Sequence, residues 1–100
     1  MTIDEMKANI QNGIAWLDGN RPGWRPKVKA KIEAGEFDMG YPCGCVIGAT
    51  DGNFFNLFLI TDNEWPDAIE RGFSLPFMEY EDEADIEYAK LTQLWIEAVK

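Results

Sequence analysis

The sequence of residues 2–20 is TIDEMKANIQNGIAWLDGN, and its pattern predicts the first element of the fold. Thr2 and Glu5 form a capping-box pair, in which each side chain accepts a hydrogen bond from a backbone amide at the start of a helix. Apolar side chains then recur at spacings of three and four residues, which is typical of an amphipathic helix. This apolar stripe consists of Ile3, Met6, Ile10, Ile14 and Leu17. The helix is predicted to end at Gly19-Asn20.

Gly13 lies in the middle of this helix, where glycine is about 1 kcal/mol less favourable than alanine. A glycine that weakens a helix interior commonly allows another part of the chain to approach the backbone. We therefore expect a close contact at Gly13.

Two shorter helices are predicted downstream. Pro26 suits the first turn of a helix over Pro26–Ala34, and Gly35 is its predicted stop. The small apolar residues of Cys43–Ala49 favour a short buried helix. A strand is the alternative for both segments. Asp51-Gly52 is predicted to be a turn.

The most hydrophobic segment of the chain is Phe54–Ile60, which we predict to be core as either a helix or a strand. A helix that begins near Thr61-Asp62-Asn63 and runs to Arg71 is predicted to follow it. Gly72 and Phe73 then have the pattern of a Schellman ending, with a glycine followed by an apolar residue.

The last helix is predicted over Asp82–Val99, with acids in its first turns and Lys100 at its end, as the helix dipole favours. One face is apolar and carries Ala84, Tyr88, Leu91, Trp95 and Ala98. The whole pattern predicts a single globular domain over residues 1–100 that is mainly α. We expect a small orthogonal domain of four to five helices, with a short β-hairpin in the central segment as the open alternative.

Five short motifs, rich in tryptophan and turn glycines, run along most of the chain. They are Trp16-Leu17-Asp18, Pro22-Gly23-Trp24, Cys45-Val46-Ile47-Gly48, Ala68 to Gly72-Phe73, and Leu91-Thr92-x-x-Trp95. In order and spacing this set resembles a family of small uncharacterised actinobacterial and actinophage proteins. The resemblance implies an origin in a phage or an integrated element and a mainly helical fold. It implies no catalytic residue, because the family carries no assigned activity.

The charge of the chain is strongly negative and unevenly distributed, with a net charge of −9. Ten acids and one base lie between Asp62 and Glu87, whereas residues 21–31 hold five bases and no acid. A net negative field disfavours direct binding to nucleic acid or to an anionic membrane. The basic and aromatic tract at residues 21–27 is brief, and it could equally contact the chain's own acids. We therefore predict neither a nucleic-acid nor a membrane partner.

The residue types that most catalytic and metal sites need are missing. The chain has no histidine, which excludes Ser-His-Asp and Cys-His mechanisms and histidine metal sites. Cys43 and Cys45 are two thiols where a structural zinc needs four ligands, so only a dimer could complete such a site. We favour the interpretation that both cysteines are small buried residues of the core. No enzymatic activity, catalytic residue, metal site or cofactor is predicted.

The cysteine content and the N-terminus indicate a compartment. Two cysteines separated by one residue form no secreted disulfide framework. The acidic start of the chain differs from a basic and then apolar signal peptide, and no run approaches the length of a membrane span. We expect the protein in the cytoplasm of a host cell.

The function favoured by these observations is that of a phage-encoded accessory protein. It would bind a host protein with a basic surface and inhibit it, for example a component of a defence system, through an acidic face that mimics DNA. The predicted contact residues form the acidic stretch and its flanking tyrosines. They are Glu79, Tyr80, Glu81, Asp82, Glu83, Asp85, Glu87 and Tyr88.

Two other functions stay open. One is a module that binds a small molecule or nucleotide, with Trp16, Trp24 and Phe55 lining an apolar pocket, although aromatic residues are more common as core packing. The other is a structural homo-oligomer, such as a homodimer, in which the aromatic residues supply the interface.

Overall fold

The computed structural model describes residues 2–41, 44–52, 69–75 and 80–100, and in these residues the fold is helical, with no strand. Four helices are complete there: α1 (Ile3–Asn20), α2 (Trp24–Glu33), α3 (Val46–Asp51) and α4 (Glu81–Val99). Residues 69–70 are also helical. The predicted mainly α domain is confirmed. None of the helices in the described residues is both long and apolar enough to cross a membrane.

Helix α1 begins with the predicted capping box. The Glu5 amide donates to Thr2 Oγ1 at 3.1 Å, and the Thr2 amide donates to Glu5 Oε1 at 3.3 Å. Most of the predicted stripe is buried or half-buried in the core. Ile3 is the exception, because its side chain is 41% exposed.

The strand alternatives for the second and third segments were wrong, because both form helices. Helix α2 begins at Trp24, two residues before the predicted Pro26, since Gly23 adopts a positive φ of 82° at the N-cap. Pro26 still lies in the first turn, where its missing amide costs no intrahelical hydrogen bond. Helix α3 begins after Cys45, and Gly52 follows it with a φ of 88°. The predictions for Phe54–Ile60 and for most of Thr61–Arg71 concern segments outside the described residues.

Two glycines end helices as predicted. After α2, the Gly35 amide donates to the Ile32 carbonyl at 3.1 Å and the Glu36 amide donates to the Lys31 carbonyl at 3.0 Å. These are the two hydrogen bonds of a Schellman motif, and Gly35 supplies its left-handed residue with a φ of 73°. Gly72 has a φ of 70° after the helical residues 69–70, and Phe73, which follows it, is buried.

Trp95 of α4 lies at the centre of the core. Its ring stacks on Phe73 with centroids 6.1 Å apart and meets Trp24 edge-on at 6.3 Å. Phe73 in turn contacts Trp16 of α1 at 5.7 Å. This row of four rings joins α1, α2, α4 and the segment 69–75, and aromatic pairs of this geometry each contribute about 0.5–1.5 kcal/mol beyond area burial.

The close contact expected at Gly13 is present. The Arg71 carbonyl and the Phe73 ring occupy the space that a Cβ on Gly13 would need. One turn earlier on α1, the backbone of Ile10 also packs closely on Gly72, where a Cβ would lie 3.0 Å from Ile10 Cα. The segment 69–75 therefore lies directly on the surface of α1, with Asn12 Nδ2 donating to the Glu70 carbonyl at 3.2 Å.

The glycines of α1 provide a matched test of this contact. We expect Gly13→Ala to lower the free energy of unfolding by about 2–3 kcal/mol, because the new methyl group displaces the Arg71 carbonyl. Gly19→Ala in the same helix should raise it by about 0.5–1 kcal/mol, since nothing lies within 4 Å of its Cβ position. Urea unfolding followed by far-UV circular dichroism measures both. An equal stabilisation by the two substitutions would contradict the close packing at Gly13.

Candidate functional site

The N-terminal half of α4 presents four exposed acids, Glu81, Asp82, Glu83 and Asp85. Their carboxylates form no hydrogen bond or ion pair with any other part of the chain that the structure describes. The first three lie in the first turn of the helix, where the dipole stabilises negative charge. These four residues, which we call the acidic turn, are therefore held on a regular helix with their charges uncompensated.

The other two acids of the predicted contact differ from the acidic turn. Glu87 is half-buried, and its Oε1 lies 2.9 Å from Lys90 Nζ in an ion pair along the helix. Glu79 lies outside the described residues. Among the described residues, the carboxylates of the acidic turn are thus unpaired, whereas the carboxylate of Glu87 is partly neutralised.

Ile86 is an exposed apolar residue beside the acidic turn, and sequence reasoning missed it. Its side chain is 58% exposed. Asp82 and Glu83 precede it by four and three residues, so both lie next to it on the preceding turn of the helix. The sequence does contain a signal for it, because Ile86 is an apolar residue that does not belong to the predicted apolar face of the last helix. An apolar side chain beside charged neighbours is the arrangement of a binding hot spot and its polar rim.

Tyr80 occupies the N-cap of α4 and is 66% exposed. Its side chain makes no capping hydrogen bond, although Ser, Thr, Asp and Asn are the residues that satisfy the amides of the first turn. The chain therefore carries an exposed aromatic ring where a capping residue would stabilise the helix.

Tyr88 has a mainly structural position. It is half-buried, and its hydroxyl lies 3.2 Å from Ser74 Oγ and accepts from the Leu75 amide at 3.3 Å. These contacts attach α4 to the segment 69–75. The ring also lines an open groove between α4 and the loop that follows α2.

This groove, which we call the loop–α4 groove, has a volume of about 410 Å³. The loop supplies Phe37, Asp38, Gly40 and Tyr41. Helix α4 supplies Asp85, Tyr88, Ala89, Thr92 and Gln93. Tyr41 is 67% exposed. The groove therefore adjoins the acidic turn through Asp85, which belongs to both.

The residues of the small-molecule alternative do not gather around a pocket in the described part of the chain. Trp24 is a core residue with 2% exposure, and its Nε1 donates to Asp18 Oδ1 at 2.8 Å. Trp16 is half-buried beneath the guanidinium groups of Arg21 and Arg71, at 5.1 and 5.2 Å from the ring centroid. Phe55 lies outside the described residues.

Cys45 is a buried structural residue. Its side chain accepts the Gly48 amide at 3.3 Å and caps α3, with 1% exposure. Cys43 lies outside the described residues. Across the part of the chain that is described, no three acids or cysteines cluster in a way that could hold a metal ion.

The basic tract of residues 21–31 does not neutralise the acidic turn. Arg21 lies over Trp16, Arg25 lies over Trp24 at 4.8 Å, and Lys31 pairs with Glu36 at 3.6 Å. Within the described ranges, no ion pair joins this tract to α4. The opposite charges of α2 and α4 are therefore separate surface features.

No family model matches the chain, and no curated protein or solved structure matches it either.

The uncapped start of α4 leads to a prediction about Tyr80. We expect Tyr80→Ser to raise the free energy of unfolding by about 0.5–1 kcal/mol, because serine accepts a hydrogen bond from a first-turn amide. Chemical unfolding measures the change. A loss of stability would mean that the Tyr80 ring packs on the fold despite its exposure.

Tyr88 and Tyr41 give a matched pair for the role of the hydroxyl group. Tyr88→Phe should lower the free energy of unfolding by about 1–2 kcal/mol, since it leaves the Leu75 amide without its partner. Tyr41→Phe should leave stability unchanged, because that side chain is exposed. Thermal and urea unfolding of both variants test this difference, and equal effects would contradict a structural role for the Tyr88 hydroxyl.

Proposed function

We propose that this protein binds a basic surface of a protein partner through the N-terminal half of α4 and thereby inhibits that partner. The observation that carries the proposal is the acidic turn, whose four carboxylates are exposed and uncompensated by the described residues. Uncompensated surface charge raises the rate of encounter with an oppositely charged surface and selects against partners of like charge.

The density of charge along α4 supports mimicry of DNA. Glu81 and Glu87 are separated by an axial rise of about 9 Å. Five carboxylates lie within this rise, and that of Glu87 is paired with Lys90. The other four, from Glu81 to Asp85, lie within about 6 Å and are spaced about 2 Å apart along the axis, against about 1.7 Å per charge for duplex DNA. A groove that binds DNA phosphates through lysine and arginine would meet a similar charge density here.

Ile86 and Tyr80 supply the contact area that charge alone lacks. Both side chains are more than half exposed and flank the acidic turn. Exposed carboxylates increase the rate of association and the selectivity of binding more than they increase affinity. Aromatic and apolar anchors that become buried at an interface contribute most of the binding energy. The proposed interface therefore has an apolar or aromatic anchor at each end of the acidic turn.

The resemblance to actinophage proteins supports a host protein as the partner. A DNA-binding protein of the host, including one of a defence system, has the basic groove that such a surface fits. By occupying this groove the protein would compete with DNA, and it would act in the cytoplasm of the host.

Affinity capture with matched variants tests this function. The tagged full chain is compared with the variant Glu81→Gln, Asp82→Asn, Glu83→Gln, Asp85→Asn, in which the acidic turn is neutral. The control variant removes the same number of exposed acids elsewhere, through Asp4→Asn, Glu33→Gln, Glu70→Gln and Glu97→Gln. Each set of four neutralisations takes the net charge from −9 to −5. Neutral amides avoid placing cations at the start of α4, where the helix dipole would penalise them.

We expect one host protein to be retained by the wild-type chain and by the control variant, and to be lost from the variant with a neutral acidic turn. High salt and added duplex DNA should both release it, because salt screens exposed charges and DNA competes for the groove. Ile86→Ser, which keeps the net charge at −9, should also weaken retention. Equal retention of the host protein by the two neutralised variants would contradict the proposal.

A further inference from the structure

We propose that the loop–α4 groove receives an arginine side chain of the bound partner. This inference rests on the proposed function, because it assigns a specific contact within the same basic surface. The proposed occupant is an arginine of a protein segment that crosses α4 beside the acidic turn.

The charge of the groove favours a cation. Asp38 lies on the loop wall and Asp85 on the helix wall, and none of the described residues that line the groove is a lysine or an arginine. Asp38 uses one carboxylate oxygen to accept the Gly40 amide at 2.8 Å. Asp85 has no hydrogen bond or ion pair with the described residues. A positively charged side chain would therefore meet carboxylates from two different elements and no base.

The aromatic lining favours a planar cation. Three rings line the groove, from Phe37, Tyr41 and Tyr88, and the Tyr41 side chain is 67% exposed. A guanidinium group can stack on an aromatic face while its N–H groups bond a carboxylate, whereas an ammonium group is a compact point charge. The same chain already uses this stacking, with Arg21 and Arg25 over tryptophan rings at 5.1 and 4.8 Å.

The groove is held by a hydrogen bond and by packing between its two walls, so it is formed before a partner arrives. The Met39 amide donates to Thr92 Oγ1 at 2.9 Å, and that hydroxyl donates to the Tyr88 carbonyl at 2.8 Å. Met39 itself is buried in the core. Gly40 packs against Tyr88, since a Cβ on Gly40 would lie 3.4 Å from Tyr88 Cβ. A preformed groove reduces the conformational entropy that binding costs.

A titration with short peptides tests this assignment on the full chain. The probe is a capped glycine-rich peptide with one arginine, and its neutral match has citrulline at that position. A third peptide carries lysine. Backbone amide NMR shifts of the isotope-labelled protein report where each peptide binds.

We expect the arginine peptide to cause saturable shifts at residues 38–41 and 85–93, with a dissociation constant of about 1–10 mM for a single side chain. Asp85→Asn and Tyr41→Ala should each weaken binding about threefold to fivefold. Glu97→Gln is the matched control, because it removes an exposed acid of the same helix that belongs neither to the groove lining nor to the acidic turn. It should change the dissociation constant by less than about twofold. The citrulline peptide should cause no saturable shift.

Three results would overturn the assignment. They are equal binding of the lysine and arginine peptides, equal effects of Asp85→Asn and Glu97→Gln, and arginine-dependent shifts around Ile86 in place of the groove. Each leaves the proposed function standing if the neutral acidic turn still loses the partner in affinity capture. If the variant with a neutral acidic turn still retains the partner while the arginine peptide binds in the groove, the proposed function is refuted instead.

Discussion

The hydrogen bond from Trp95 Nε1 to the Gly72 carbonyl, 2.8 Å long and buried, is the interaction on which the rest of the structure depends. A buried indole N–H without an acceptor would cost about 1–3 kcal/mol, so Trp95 requires this carbonyl at this place. Gly72 provides it only because its left-handed backbone turns the chain across α1. Gly13 then lets the segment 69–75 lie directly on α1, so that α1, α4 and this segment share one core.

The two halves of α4 differ in how they contact this core. The second half contributes Leu91, Trp95 and Val99, all of which are buried. The first half carries the acidic turn and is held in place through Tyr88, whose hydroxyl contacts the segment 69–75. Uncompensated acids would repel one another on an isolated helix, since like charges one turn apart are destabilising. Packing of the second half, together with the helix dipole, allows the first half to carry them on a regular helix.

Much of the fold could be predicted because its signals are local. The capping box at Thr2 and the stops at Gly35 and Gly72 each depend on residues a few positions apart, and the structure places them as expected. The periodicity of α4 predicted the buried Leu91 and Trp95 but not the buried Val99. The helical state of α2 was left open, because sparse apolar residues at alternating positions fit a strand equally well. Ile3 belongs to the apolar stripe of α1 and yet is exposed, since periodicity gives the face of a residue but not whether another element covers it.

The sequence by itself determined the helical class, the start of α1, the stops at Gly35 and Gly72 and the concentration of acids at the start of α4, because these follow from composition and from neighbours within a turn or two. Only the tertiary structure decided which of those acids stay unpaired, that Ile86 is exposed among them, and that Tyr88 supports the fold. The loop–α4 groove also belongs to the tertiary structure, since Met39 and Thr92, which hold it, are 53 residues apart. Contacts at that separation arise from how the helices pack, which no local pattern encodes.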